Sequence, residues 1–518
     1  MNYNSKALAL VAALLVLLAL PAAANTVGTV QVTDSCSGFT ASITATGLSY
    51  QTATVDFTIT LTPTSGTPIT ISDSFVVHRT PPHGYTGTYT QTWAHYGVTL
   101  NTTYTLTGKA TFGPPIPPRY RPMAFSPSTL DCALPPPGSC QPSSSLGLLV
   151  QGKNVNTYVP NGAWETGNTG LSVVPVEGAG SSATISTPNV VNSCASNSLT
   201  GETVCTSNVN DVYLITGSTL NTTLSSGGNQ YSGFSGGSCI TCGVAMNATA
   251  NKAVVTIGLS TAPSGSGLQF LDLASSTFGS PVPLSNLVSE DVLWDQGRDL
   301  VLSPDESGNY DIYNHTSGGE FGNSIGGTLD SAAEECSTGI ALSTDEFTSE
   351  LFIADLTQAT FTAGSPGTWT TTAEQFQNFP EFGGFAAGTN GIAIAQGSHQ
   401  GVVTGEFCGN AFGEIQLPST SGSGTPAVVD YAAAVLPNTP DGATFEQGLD
   451  PHTVTAYVSP NSSDAIGLIA NGCFTPPTWL AVIDLNKLQA APRLSGTHTV
   501  DPSYDLILNG VVSYLAVP

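Results

Sequence analysis

Between Thr26 and Leu134 apolar and polar residues alternate, with heavy use of threonine, as in Ala53-Thr-Val-Asp-Phe-Thr-Ile-Thr-Leu61 and Tyr104-Thr-Leu-Thr-Gly-Lys-Ala-Thr-Phe112. A period of two sends every second side chain to the same face, so these runs predict strands that are covered on one side and wet on the other. About seven such strands in about 105 residues predict a β-sandwich. Two proline-rich runs follow, Gly113-Pro-Pro-Ile-Pro-Pro-Arg119 and Pro135-Pro-Pro-Gly138. Proline cannot donate to a ladder and favours extended, semi-rigid backbone. The second run marks the boundary, with 25–134 as the sandwich and 135–143 as a linker. The first run is an edge or loop of the sandwich, because Cys132 lies beyond it.

From 144 to 518 the informative feature is recurrence. Short apolar runs that open a hairpin are Asn189-Val-Val-Asn192, Cys242-Gly-Val-Ala-Met246, Glu290-Asp-Val-Leu-Trp294, Thr338-Gly-Ile-Ala-Leu342, Asn390-Gly-Ile-Ala-Ile394 and His452-Thr-Val-Thr-Ala456. Aligning Val191, Val244, Val292, Ile340, Ile392 and Val454 gives steps of 53, 48, 48, 52 and 62 residues. Second strands follow at Lys252–Ile257, Asp299–Leu302, Glu350–Asp355, Gly401–Thr404 and Ala465–Ile469, and third strands at Leu268–Leu273, Tyr310–Tyr313 and Trp479–Leu485. Three or four short strands repeated about every 50 residues predict a β-propeller, since one such sheet cannot cover both its faces without stacked neighbours. Six opening strands are visible. Joining the terminal segments, Leu146–Val176 and Tyr504–Val517, would supply a seventh blade, with six or eight blades as alternatives.

Two resemblances sharpen this picture. Val98-Thr-Leu-Asn-Thr-Thr-Tyr104 resembles the corner before a late strand of fibronectin type III and immunoglobulin-like domains, which implies a core role for Leu100 and a corner role for Tyr104. Asp450-Pro-His-Thr-Val-Thr-Ala-Tyr-Val-Ser-Pro460, Ala465–Asn471 and Leu480-Ala-Val-Ile-Asp-Leu485 resemble the YVTN-type propeller repeat. The likeness is good over about 40 residues and fades in the other repeats.

The first 24 residues carry Lys6, an apolar run from Ala7 to Leu20, then Pro21 and Ala22–Ala24. This is the layout of a secretory signal cleaved after Ala24, and the expected location is extracellular or periplasmic. A membrane anchor would need about 20 apolar residues, and no later stretch is long and apolar enough to span a bilayer. Ten cysteines in an exported chain read as disulfides, with Cys36–Cys132 and Cys194–Cys205 the best pairings. Cys239 and Cys242 have the spacing of a zinc or redox pair, but no second close pair accompanies them, so a structural bridge is expected. His78, His83 and His95 match no metal spacing and read as surface or turn residues.

With 36 acidic and only 10 basic side chains the net charge is −26. So few cations cannot line a phosphate backbone, and nucleic acid is not an expected partner. In a propeller the residues just before each opening strand crowd one mouth of the central channel. Glu290, Asp291, Glu334, Glu335, Asn390, Asp450 and His452 stand there. Of these, Glu290, Asp291, Glu335, Asp450 and His452 are the candidate metal ligands, for Ca²⁺ or another divalent ion. The arrangement resembles lactonase and gluconolactonase propellers, which implies a metal-activated water attacking an ester carbonyl. No blade carries that family's full ligand motif, and half of them offer no ligand. No Gly-x-Ser-x-Gly elbow, His-Glu-x-x-His or phosphate loop is present. The expected function is therefore a secreted, non-enzymatic binding or scaffold protein using a propeller face for protein or glycan ligands. A metal-dependent lactonase or esterase-like hydrolase is the alternative, and a matrix component is a third reading.

Overall fold

A computed structural model describes residues 30–35, 38–46, 52–63, 67–80, 84–92, 103–112, 128–131, 140, 146–151, 154–161, 167–178, 182–229, 240–285, 291–348, 350–362, 365–375, 388–405, 409–419, 430–436, 438, 442, 444, 454–470, 479–488, 497–499 and 506–509. The chain divides into two units, Met1–Leu134 and Pro135–Pro518.

The first unit comprises β1 (Val30–Ser35), β2 (Gly38–Thr46), β3 (Thr52–Pro63), β4 (Ile69–Thr80), β5 (Gly84–Thr92), β6 (Thr103–Phe112) and β7 (Ser128–Asp131). Their hydrogen-bonded order is β1-β2-β5-β4-β3-β6-β7. Among the described residues three pairs join β4 to β5, His78–Thr80 against Gly84–Thr86. The strands thus fall into two groups linked by one hairpin stem, which is how a sandwich folds one sheet over another. Along β3 the predicted alternation is realised: Val55, Phe57, Ile59 and Leu61 are buried, while Thr58 sends its hydroxyl outward to within 3.3 Å of Ser72 Oγ. Their partners in register include Phe75 and Ile71 of β4 and Ala110 and Leu106 of β6. Each fully buried aliphatic or phenyl group here contributes roughly 1.5–3 kcal/mol. Tyr104 is buried at the start of β6 and His78 is exposed. β7 lies beyond the first proline run and pairs with β6. Leu100, His83, His95, Cys36 and Cys132 lie outside the described residues.

In the second unit, sheets of consecutive antiparallel strands follow one another. The first consists of Leu148–Gln151, Asn154–Pro160, Thr169–Glu177 and the first half of Ala183–Asn197. The second half of that long strand opens the second sheet, which continues with Glu202–Ser207, Asp211–Thr216 and Thr219–Ser225. The next four sheets open on Thr241–Asn247, Leu293–Asp295, Leu329–Glu335 and Thr389–Ala395, and the seventh on Val454–Val458. In the sixth sheet Thr497–Thr499 adds a parallel outer strand beside Asp430–Val435.

Apolar contacts between neighbouring sheets make the ring. Leu149, Tyr158 and Leu171 meet Val191, Tyr213 and Ile215 between the first two sheets. Corresponding clusters join second to third, third to fourth, fourth to fifth, fifth to sixth and sixth to seventh. The last cluster closes the circle, with Val155, Val159 and Val174 of the first sheet against Tyr457, Leu468 and Leu480 of the seventh. The protein is thus all-β, a sandwich followed by a propeller. The closing seam carries a polar clamp as well. Glu177 accepts hydrogen bonds from Tyr457 Oη at 2.7 Å, Ser459 Oγ at 2.8 Å and Asn461 Nδ2 at 2.5 Å.

Two features differ from the sequence reading. Thr338–Leu342 was expected to open a sheet, but the opening strand there is Leu329–Glu335, and Ile340–Asp345 is the second strand. Both are buried at nearly every position, Ala333 alone being half-buried, so their apolar patterns do not distinguish them. The terminal segments also do not share a sheet. Leu148–Glu177 belongs to a sheet of its own, whereas Leu506–Asn509 completes the seventh by pairing with Trp479–Val482.

Candidate functional site

The opening strands of the third to sixth sheets line a narrow pore with about 40 Å³ of space. Its wall is made of small apolar side chains, among them Val244, Val292, Ala333, Ile392 and Ile394, with Asp291, Glu334 and Gln396 as the polar members. Strands facing both a channel and a neighbouring sheet have no wet side. Accordingly Thr241–Asn247 and Thr389–Ala395 are buried at every position.

Asp291 stands where the chain enters the fourth sheet. Its Oδ1 accepts from the Val292 amide at 2.8 Å, and its Oδ2 accepts from the Ala332 amide at 3.2 Å and from the Ser331 hydroxyl. The carboxylate therefore ties the fourth sheet to the fifth.

The other end of the pore is a chain of tight turns. In the second sheet Asn197 Nδ2 donates to Asn251 Oδ1 at 2.9 Å, in the turn of the third. Ala248 N of that turn donates to Gln296 Oε1 of the fourth at 3.0 Å. Arg298 Nη1 donates to Asp295 Oδ2 at 2.9 Å and to the Cys336 carbonyl of the fifth at 3.1 Å. Cys336 N donates in turn to Gln396 Oε1 of the sixth at 3.0 Å, while Gln396 Nε2 donates back to the Glu334 carbonyl. Glu335 completes the link: Gly397 N lies 3.1 Å from both its oxygens, His399 N donates to Oε2 at 3.3 Å, and Ser337 Oγ donates to Oε1 at 2.8 Å. Gly397 has φ of 83°, a left-handed conformation that brings its amide to Glu335 without a Cβ penalty. Gly339 is needed for another reason. A Cβ there would sit 2.6 Å from Arg298 Cζ, so the guanidinium could not reach Asp295.

Burial raises the pKa of Asp295 even though Arg298 opposes the shift. Burial also pushes Glu334 well above the usual carboxylate range, and the neighbouring charge of Asp295 adds to it. Two buried acids side by side favour sharing a proton over carrying two charges. Asp295, Glu334 and Cys336 lie close enough to suggest a metal cage, with ligand atoms within 4.8 Å of one another. Cys336, however, is disulfide-bonded to Cys140, so its sulfur is no thiolate ligand.

Of the residues the sequence singled out, Asp291 lines the pore, whereas Glu335 is buried among the turns at its other end. Ser331–Glu335 separates the two levels, a rise of roughly 13 Å at about 3.3 Å per residue. Glu290, Asp450 and His452 lie outside the described residues. The sequence reading missed Asp295, Arg298, Gln396 and the Cys140–Cys336 bridge. One signal was available: the dipeptide Gln-Gly follows an opening strand twice, at Gln296-Gly297 and Gln396-Gly397, and both glutamines accept from the preceding sheet's turn. Cys194–Cys205 forms as predicted, between residues directly opposite in register. Cys242 is also disulfide-bonded.

No protein-family model matches this chain, and no curated protein matches it. Among solved structures, a functionally unknown protein from Desulfotomaculum acetoxidans DSM 771 aligns with a TM-score of 0.42 and 13% identity, over 71% of this chain and 100% of that one. U3-55K aligns with a TM-score of 0.41 and 8% identity, over 64% and 90%. The β-propeller domain of Myceliophteria thermophila Cps50 (Swd1) does so with 0.41 and 9%, over 64% and 94%. These likenesses assign no activity to this chain.

Proposed function

We propose that this protein is an exported, non-enzymatic scaffold: a fibronectin type III or immunoglobulin-like unit followed by a seven-bladed propeller of YVTN type that binds proteins on its face. The observation that carries this reading is the use made of the polar groups at the pore. Asp291, Asp295, Glu335 and Gln396 each bond one sheet to the next or brace the turn that does so. Such groups stiffen a platform, and stiffness lowers the entropic cost of binding a partner. With a net charge of −26, partners that present lysine and arginine are favoured, and acidic polymers are repelled.

Affinity capture with the full-length protein from its host's medium, followed by carboxyl-to-amine cross-linking, tests the proposal. The expected result is a defined partner whose lysines cross-link to acids on the propeller turns. Purified protein that carries stoichiometric metal and hydrolyses lactones or esters, with both properties lost in Asp291→Asn, would replace the scaffold with the hydrolase.

A further inference from the structure

The disulfide that keeps Cys336 from acting as a thiolate also holds together the parts of a metal site. Cys336 is 3% exposed and Asp295 fully buried, with the sulfur 3.7 Å from Asp295 Oδ1. Zinc bonds of about 2.3 Å to sulfur and about 2.0–2.2 Å to oxygen, set at a tetrahedral angle, place two such ligands about 3.5 Å apart. Glu334 offers a third ligand atom, and the three lie within 4.8 Å of one another. Arg298 fixes the Asp295 carboxylate, its Nη1 donating to Oδ2 at 2.9 Å and its amide to Oδ1 at 3.0 Å. Carboxylates that bind metals are oriented by outer hydrogen bonds of this kind.

Gly297 points to the same place independently. A Cβ there would lie 3.3 Å from Cys140 Sγ, 3.2 Å from Cys336 Sγ and 3.3 Å from Asp295 Oδ1, so both sulfurs and the carboxylate oxygen converge beside the glycine. Gly397, which follows the equivalent glutamine of the sixth sheet, has φ of 83° and is glycine for the sake of its backbone. Gly297 is not left-handed, so its missing side chain serves the space around the sulfurs. Two sulfurs with carboxylate oxygens suit tetrahedral zinc, whereas calcium takes roughly six to eight oxygens.

We propose that reduction of the Cys140–Cys336 bridge turns this locus into a zinc site, with Cys140 Sγ, Cys336 Sγ, Asp295 Oδ1 and a Glu334 oxygen as ligands. The reductant is a dithiol. One of its thiolates attacks the sulfur of half-buried Cys140, forming a mixed disulfide and releasing Cys336; its second thiol then displaces Cys140, and the dithiol leaves as a cyclic disulfide, having passed two electrons to the cysteines. Zinc replaces the two thiol protons and the proton shared by Asp295 and Glu334, and all of them pass to solvent. The covalent bridge and the metal are thus alternative ways of tying Cys140 to the fifth sheet. This switch is independent of the scaffold reading, since it needs no protein partner.

Equilibrium dialysis of the full-length protein against zinc chloride, with and without a phosphine reductant, followed by metal analysis, tests it. The reduced protein should hold one more zinc per chain than the oxidised protein, and cobalt chloride in place of zinc should give thiolate-to-cobalt charge-transfer absorption only after reduction. Replacing Cys140 and Cys336 together by serine should abolish the extra zinc, whereas replacing Cys194 and Cys205 should leave it. Should the first double variant fail to fold, Gly297→Ala, which crowds the sulfurs, and Asp295→Asn, which removes a ligand charge, should each weaken zinc binding by the reduced protein at least about tenfold. Equal zinc in the two redox states, or undiminished zinc in any folded variant altered at Cys140 and Cys336, Gly297 or Asp295, would overturn the proposal.

Discussion

The closing seam offers a quantitative test of how the ring is held. In Glu177→Ala the third strand of the first sheet loses the carboxylate that Tyr457, Ser459 and Asn461 of the seventh sheet bond to. Tyr457 is 1% exposed and Ser459 3%, so both hydroxyls are left facing a hole, whereas Asn461 is exposed and can turn to water. A bond to a charged acceptor contributes about 1.5–3 kcal/mol, and a stranded buried donor costs about 1–3 kcal/mol. Allowing for the partial exposure of Glu177, the seam should weaken by about 2–4 kcal/mol, which raises its opening constant roughly 30- to 1,000-fold. Glu177→Gln keeps one carbonyl oxygen as acceptor and should lose about half as much.

Because the apolar contacts of the other interfaces are untouched, the effect should be local. Native-state hydrogen exchange would show faster exchange in Val454–Val458 and Asn154–Pro160, with Lys252–Gly258 in the third sheet unchanged. Unchanged exchange at the seam would refute the clamp. Acceleration spread evenly around the ring would show that the propeller opens as one unit and that closure has no separable energy.

Three further outcomes are expected. Arg298→Met strips the counter-charge from fully buried Asp295 and should cost about 2–4 kcal/mol at neutral pH, less than a wholly buried pair because the arginine is 26% exposed. The folded-state pKa of Asp295 is raised, so its contribution is most favourable below its unfolded value and is withdrawn as pH rises; urea unfolding should find the variant's deficit shrinking from pH 7 to pH 4. Asp299 shows the opposite sign. Burial opposes its ionisation, but hydrogen bonds from His315, Thr316 and Trp294 hold it down to about 2, so its contribution is present above about pH 4 and is lost as pH falls towards 2. Trp294 donates to Asp299 Oδ1 at 3.0 Å, so its fluorescence should report that step, and Asp299→Asn should remove it. Replacing Cys140 and Cys336 together by serine should lower stability by about 5 kcal/mol, and the pair Cys194 and Cys205 by about 3 kcal/mol, because the first bridge spans 196 residues and the second 11. Denaturant unfolding of the two double variants compares them directly.

What the sequence by itself determined is what adjacent residues settle between them. The alternation of Val55, Phe57, Ile59 and Leu61 follows from backbone geometry that turns neighbouring side chains apart, and it reports a half-covered strand wherever it occurs. The bridge between Cys194 and Cys205 was legible for a similar reason, since a short polar turn sets the two residues opposite each other. The rhythm of about 50 residues pointed to stacked sheets because apolar faces recur where each needs a neighbour. Beside the pore that local signal disappears. Leu329–Glu335 and Ile340–Asp345 are both buried on two sides, so nothing in their patterns says which opens the sheet. That choice puts Glu335 at the opposite end of the pore from Asp291. The environment of Glu334 was beyond reach for the same reason. Asp295 stands 39 positions earlier in the chain, Gly397 62 positions after Glu335, and Cys140 196 before Cys336. Only closure of the ring brings those segments together, and it alone decides which acids are bonded between sheets.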